Sequence, residues 1–217
     1  MNDWEQLERL SGEAFALVLL RQDPVFGRIP PKKYGYYIRQ GIRSGQQAAE
    51  RWTLPGLARR LEEDGVEVCR SGETPPMDIH SEYCPAENGR APVIRLYIPT
   101  LEKICAAAQR WGIPVTMEQL EQLHLAHEFY HHLEHSGAGD VSLTSEPVEI
   151  RLLGVIRRTR AVRSLREIAA HTFAQSVCAS PCHPLVWDWL LLNEEDEDQA
   201  KAFLNLCRQA EQSVKGA

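Results

Sequence analysis

Between Leu120 and His135 the chain reads Leu-Glu-Gln-Leu-His-Leu-Ala-His-Glu-Phe-Tyr-His-His-Leu-Glu-His, and this stretch narrows the folds available to the rest. It contains His-Glu-x-x-His at His127, Glu128 and His131. Residues four apart on an α-helix lie one above the other on the same face, so both imidazoles can reach one metal ion. Glu128 is turned by about 100° from His127. That leaves its carboxylate near the metal without forcing it to be a ligand. Two nitrogen ligands and a carboxylate able to take a proton from water make up the helix of zinc-dependent hydrolases.

The flanking residues support a helix. Thr116 and Gln119 have the spacing of a capping box, and Gly137 is placed to end the helix beyond His135. Leu125, Ala126, Phe129, Tyr130 and Leu133 gather on one side of the wheel. His124, His127, His131 and His135 gather on the other. The pattern predicts one face in the core and one lining a polar cleft.

A catalytic zinc takes three protein ligands and keeps one position open. His135 lies one more turn along, and three successive turns of a straight helix do not converge on one tetrahedral ion. Glu167 is better placed, in Leu165-Arg166-Glu167-Ile168-Ala169-Ala170-His171-Thr172-Phe173-Ala174. On a helical wheel Glu167 shares a face with Ala170, His171, Ala174 and Cys178, and the small side chains there allow a close approach to the metal helix. Glu146, Glu149 and Asp140 compete for the same role. Beyond the ligands, His135, His171 and Tyr130 are candidates to donate to a developing oxyanion or to sit behind the ligands.

The remaining chain sets bounds. Its 217 residues, 43% hydrophobic and 25% charged, suit one globular domain. The divisions are an N-terminal helical segment (1–54), a core (55–178) and a C-terminal helical extension (179–217). A net charge of −6 argues against direct nucleic-acid or anionic-membrane binding. No apolar run approaches the ~18 residues of a membrane span, and the first residues lack a basic signal-peptide region, so a cytoplasmic protein is expected. The six cysteines are scattered, which favours reduced thiols. Cys178, Cys182 and His183 lie among prolines and read as a turn rather than a second metal site.

Helices are predicted over 3–21, 33–52, 55–63 and 101–111, and another follows Asn193, taken as its N-cap, to about 212. Strands are predicted over 66–68 and 93–98, the second (or its neighbour) being the candidate edge against which an extended peptide could lie. Residues 71–91 show no periodicity; His80, within them, is taken as a surface residue. Arg151, Arg157, Arg158, Arg160, Arg163 and Arg166 are taken as a solvated helix face. The fold class expected is α+β, mostly helical.

The two motifs together also resemble a known family. Leu125-Ala126-His127-Glu128-x-x-His131-x-Leu133-x-His135, followed by Glu167-x-x-Ala170-x-x-Phe173-Ala174, is similar to the ImmA/IrrE-like zinc metallopeptidases, over roughly residues 55–178. The resemblance implies a zincin-like minimal metallopeptidase with a small antiparallel sheet packed on the metal helix. It implies Zn2+ on His127, His131 and Glu167, with Glu128 catalytic. It further implies a protein or peptide substrate, such as a transcriptional repressor. The chain departs from that pattern at His171, where the family has Asn, at Gln175-Ser176-Val177-Cys178, and in the added helix at 101–111. A non-catalytic metal-binding or sensor module on the same fold is the alternative.

Overall fold

Two glycines decide how closely the helices can pack around the His-Glu-x-x-His motif. Helix α3 (Tyr34–Ala49) carries Gly41 and Gly45 on the face that meets α8 (Ser164–Val177). In the computed structural model, which describes residues 2–75, 79–152 and 156–216, a Cβ at Gly41 would come within 2.7 Å of Ile168 Cγ2. One at Gly45 would strike the carbonyl of Ala169. Glycine's absence of a side chain outweighs its low helix propensity here, because it lets the two backbones touch. Helix α8 is thereby pinned from behind, with Glu167 in its first turn.

The His-Glu-x-x-His motif lies on α6 (Met117–Leu133). Thr116 caps it: its hydroxyl accepts from Gln119 N–H at 3.2 Å, and Gln119 Oε1 accepts from Thr116 N–H at 2.9 Å. After Leu133 the coil widens into a π turn, Glu134–Ala138, and Gly137 at φ 105° breaks it. Phe129 is fully buried between the rings of Trp52 and Phe173.

A three-stranded sheet packs on α6: β1 (Glu67–Ser71), β2 (Ser81–Cys84) and β3 (Val93–Tyr97), in the order β1-β3-β2. It is mixed rather than antiparallel, since β1 runs parallel to β3 and only β2 is antiparallel. The β2–β3 hairpin turns at Asn88 (φ 52°) and Gly89 (φ 78°), both in the left-handed region that a tight hairpin turn requires. Because β3 is central, β1 and β2 are the edges, and β2 is the one whose Ser81 reaches the His-Glu-x-x-His helix.

The surrounding helices are α1 (Asp3–Glu8), α2 (Gly12–Arg21), α4 (Leu54–Glu63), α5 (Ile98–Arg110), the short α7 (Val141–Thr144), α9 (Leu185–Glu195) and α10 (Glu197–Lys215). The expected helix over 3–21 is broken, because Ser11 caps α2 and is held by Glu211 of α10, whose carboxylate accepts its N–H and hydroxyl. Asn193 lies inside α9, and Asp196 is the N-cap of α10 instead. The arginine run is not a helix face either. Arg157, Arg158 and Arg160 stand exposed on β5 (Ile156–Arg160), paired antiparallel with β4 (Val148–Leu152), and only Arg166 belongs to α8.

The chain is α+β and mostly helical, and Leu17, Phe129, Trp187 and Leu204 from the three predicted segments share one continuous core. All six cysteines are free thiols. Among the described residues no helix is long and apolar enough to cross a membrane.

Candidate metal centre

His127 and His131 point their Nε2 atoms at each other across 3.2 Å. The carboxylate of Glu167 faces both: Oε2 is 3.5 Å from His127 Nε2, and Oε1 is 3.5 Å from His131 Nε2. Zinc binds such donors at about 2.0–2.2 Å, so two donors of one tetrahedral ion sit roughly 3.3–3.5 Å apart. The two imidazole nitrogens lie near that separation from each other and from Glu167, each through a different carboxylate oxygen. His127, His131 and Glu167 are therefore candidate ligands of one divalent cation.

The charges agree with the geometry. Burial opposes protonation of His131, but its hydrogen bonds to Glu134 and Glu167 prevail and raise its pKa to about 10. Burial likewise opposes ionisation of Glu167, and hydrogen bonds to His127 and His131 overcome it, leaving the carboxyl well below the usual range. Its side chain is 48% accessible, so solvent weakens this pairing; the direction rests on the two imidazoles, which are only 14% and 12% accessible.

Glu128 is buried and turned from the ligand pair, its Oε1 accepting from Ser81 Oγ at 2.7 Å. Ser81 and Tyr83 alternate along β2 and both face α6. Glu128, Ser81 and the donors His127 and Glu167 line one pocket of about 180 Å³. His171 also lines it, edge-on to His127 with ring centroids 4.8 Å apart. A donor atom of His171 lies within 4.8 Å of those of His127 and Glu167. Burial first, and then neighbouring imidazoles, push the pKa values of His171 and His124 well down.

The other candidates are elsewhere. Tyr130 faces away from this pocket, its hydroxyl 2.9 Å from Ser44 Oγ of α3. His135 is exposed beyond the end of α6, its ring 5.5 Å from that of Tyr83. Glu146 pairs with Lys33, Glu149 approaches Arg157 on the β4–β5 hairpin, and Asp140 caps α7. None of the three lines the pocket.

Three participants were not singled out by the sequence. Ser81 holds Glu128. His80 is not a surface residue: its side chain is 10% accessible, packed edge-on against His124 and 3.6 Å from Asp188. Asp188, on α9, closes the same pocket. The Asn88-Gly89 pair is the one local signal that could have found Ser81, since it marks the hairpin that brings 81–84 beside β3. Nothing local marks His80 or Asp188.

The sequence matches no protein-family model, and no curated protein and no solved structure matches it.

Proposed function

We propose that this chain is a zinc-dependent endopeptidase of zincin-like architecture, acting on a protein or peptide. The convergence of His127, His131 and Glu167, with nitrogen and oxygen donors 3.2–3.5 Å apart, carries this reading. These three residues would hold the zinc, which when bound supplies Lewis acidity and brings the pKa of a water towards ~7. Glu128, kept in place by Ser81, takes a proton from the attacking water and returns it to the leaving amine. The free edge of β2 gives an extended peptide main-chain partners, and Ile79, His80 and Ser81 at its start border the pocket. The resemblance to the ImmA/IrrE-like enzymes supports the same chemistry and suggests a transcriptional regulator as substrate.

The position of His171 favours a second reading, a non-catalytic metal-binding module. With a donor atom within 4.8 Å of those of His127 and Glu167, it could serve as a fourth protein ligand and leave no open position. Incubation of the zinc-loaded protein with a mixture of unfolded polypeptides separates the two. The endopeptidase reading expects cleavage that a chelator abolishes and that Glu128→Gln abolishes while zinc stays stoichiometric. Absence of cleavage, or cleavage undiminished in Glu128→Gln, would refute it.

A further inference from the structure

Behind His131, on the side away from the cleft, lies a buried carboxylate that no step above employs. Glu134 Oε2 is 3.1 Å from His131 Nδ1, and the side chain is 3% accessible. The same oxygen accepts from Arg166 Nε at 2.9 Å. Arg166 Nε is also 3.6 Å from Asp140 Oδ2. Glu134 Oε1 is buried with no hydrogen-bond partner among the described residues. A buried carboxylate with one oxygen unsatisfied is costly, so packing alone does not account for it.

An ionised carboxylate only accepts. The hydrogen between Glu134 and His131 therefore sits on Nδ1, so that Nε2 is the nitrogen turned to His127 and Glu167 and the one that would give up its proton to a metal. Arg166 directly precedes Glu167 in the chain. The first turn of α8 thus presents one side chain to the donor triangle and the next to the carboxylate behind it. The cation also balances the charge of Glu134, so the outer pair adds no net charge to the site.

Resting on the metal reading above, we propose that Glu134, clamped by Arg166, is a positioning residue. It fixes the tautomer and direction of His131, and Arg166 ties that setting to the helix that delivers Glu167. Carboxylates behind a metal-bound imidazole typically contribute 10–100-fold in metal affinity.

The test is zinc affinity by competition with a chromophoric chelator, on the full chain and its variants, with folding followed by circular dichroism. Glu134→Ala should weaken zinc about 10–100-fold. Glu134→Gln, which keeps volume and a carbonyl acceptor, should recover part of that loss. Arg166→Met should weaken binding in the same direction by less. Asp140→Asn touches Arg166 but not His131, and should stay within about twofold of the parent, well below that range. Nitrogen-15 and proton imidazole spectra of the zinc-loaded chain should show the His131 Nδ1–H shifted as in a hydrogen bond to a carboxylate, and Glu134→Gln should move that signal, a readout that a packing role would not set. If Glu134→Ala fails to fold, Glu134→Gln and the spectrum decide. Zinc bound equally by the parent and both Glu134 variants, or an Nδ1–H signal that Glu134→Gln leaves unmoved, overturns the proposal while leaving the metal site intact. A parent chain that binds no zinc overturns both.

Discussion

His131 and His132 are adjacent on one helix, both with little solvent exposure, yet they are built for opposite ends. His132 uses both nitrogens inside the protein: Nδ1 meets Tyr83 Oη at 3.1 Å, and Nε2 meets Asp64 Oδ2 at 2.8 Å. Asp64 Oδ2 in turn accepts from Arg60 at 2.7 Å. That chain ties β2 and the end of α4 to the back of α6. His131 uses one nitrogen on Glu134 and directs the other at His127 and Glu167. An imidazole with both nitrogens satisfied internally holds structure together; one with a single nitrogen anchored presents the other for a metal.

The contrast breaks most visibly on substitution by phenylalanine. His131→Phe should cost zinc affinity by well over the ~100-fold ceiling of an outer-sphere change, with a smaller effect on the metal-free fold. His132→Phe should do the reverse. It leaves Asp64 and Tyr83 short of a partner, for a loss of about 1–3 kcal/mol. At roughly 2–4 °C per kcal/mol for a chain of this size, calorimetry should show it while zinc stoichiometry stays unchanged. Loss of zinc from His132→Phe alone would erase the distinction.

The next effect concerns the strand shared by both histidines' neighbours. Ser81→Ala removes a hydrogen bond to the ionised Glu128, worth about 1.5–3 kcal/mol at the upper end of such bonds. We expect turnover on a peptide to drop by about tenfold or more, with zinc affinity unchanged. Tyr83→Phe, on the same face of β2, should leave turnover alone. It should lower stability by only about 0.5–1.5 kcal/mol in denaturant titration.

The smallest expected signal is in pH dependence. Burial acts to raise the Asp64 pKa, but the hydrogen bonds from His132 and Arg60 prevail and lower it. A carboxylate with a depressed folded-state pKa adds stability that is present above its unfolded value near ~3.9 and is lost as pH falls through the folded one. Asp64→Asn should therefore flatten the acid limb of the stability curve below about pH 4. An unchanged limb would place the charge of Asp64 outside the folding balance.

How much of this was legible depended on whether the information was local. The capped helix and the four-residue spacing of His127 and His131 follow from helical geometry, and the small residues beside Glu167 favour it over Glu146, Glu149 and Asp140. Tyr130 was ambiguous because a wheel assigns it to the apolar side while its hydroxyl needs a partner; Ser44, 86 positions away, supplies one. Ser81, His80 and Asp188 reach the pocket through strand pairing and through the packing of α9, which no periodicity encodes. The arginines misled for a related reason. On an exposed hairpin they show neither helical nor alternating burial, so their charge alone suggested a solvated helix.

The account stands or falls on the donor triangle. X-ray absorption at the zinc edge of the stoichiometrically loaded chain measures it directly. Two imidazole nitrogens at about 2.0–2.1 Å, a carboxylate at about 2.0–2.2 Å and a further light oxygen are expected. In Glu167→Ala the carboxylate contribution should disappear along with most of the metal. A sphere of three imidazoles with no exchangeable oxygen, or a chain that does not retain zinc at all, would contradict the open site and the hydrolysis derived from it.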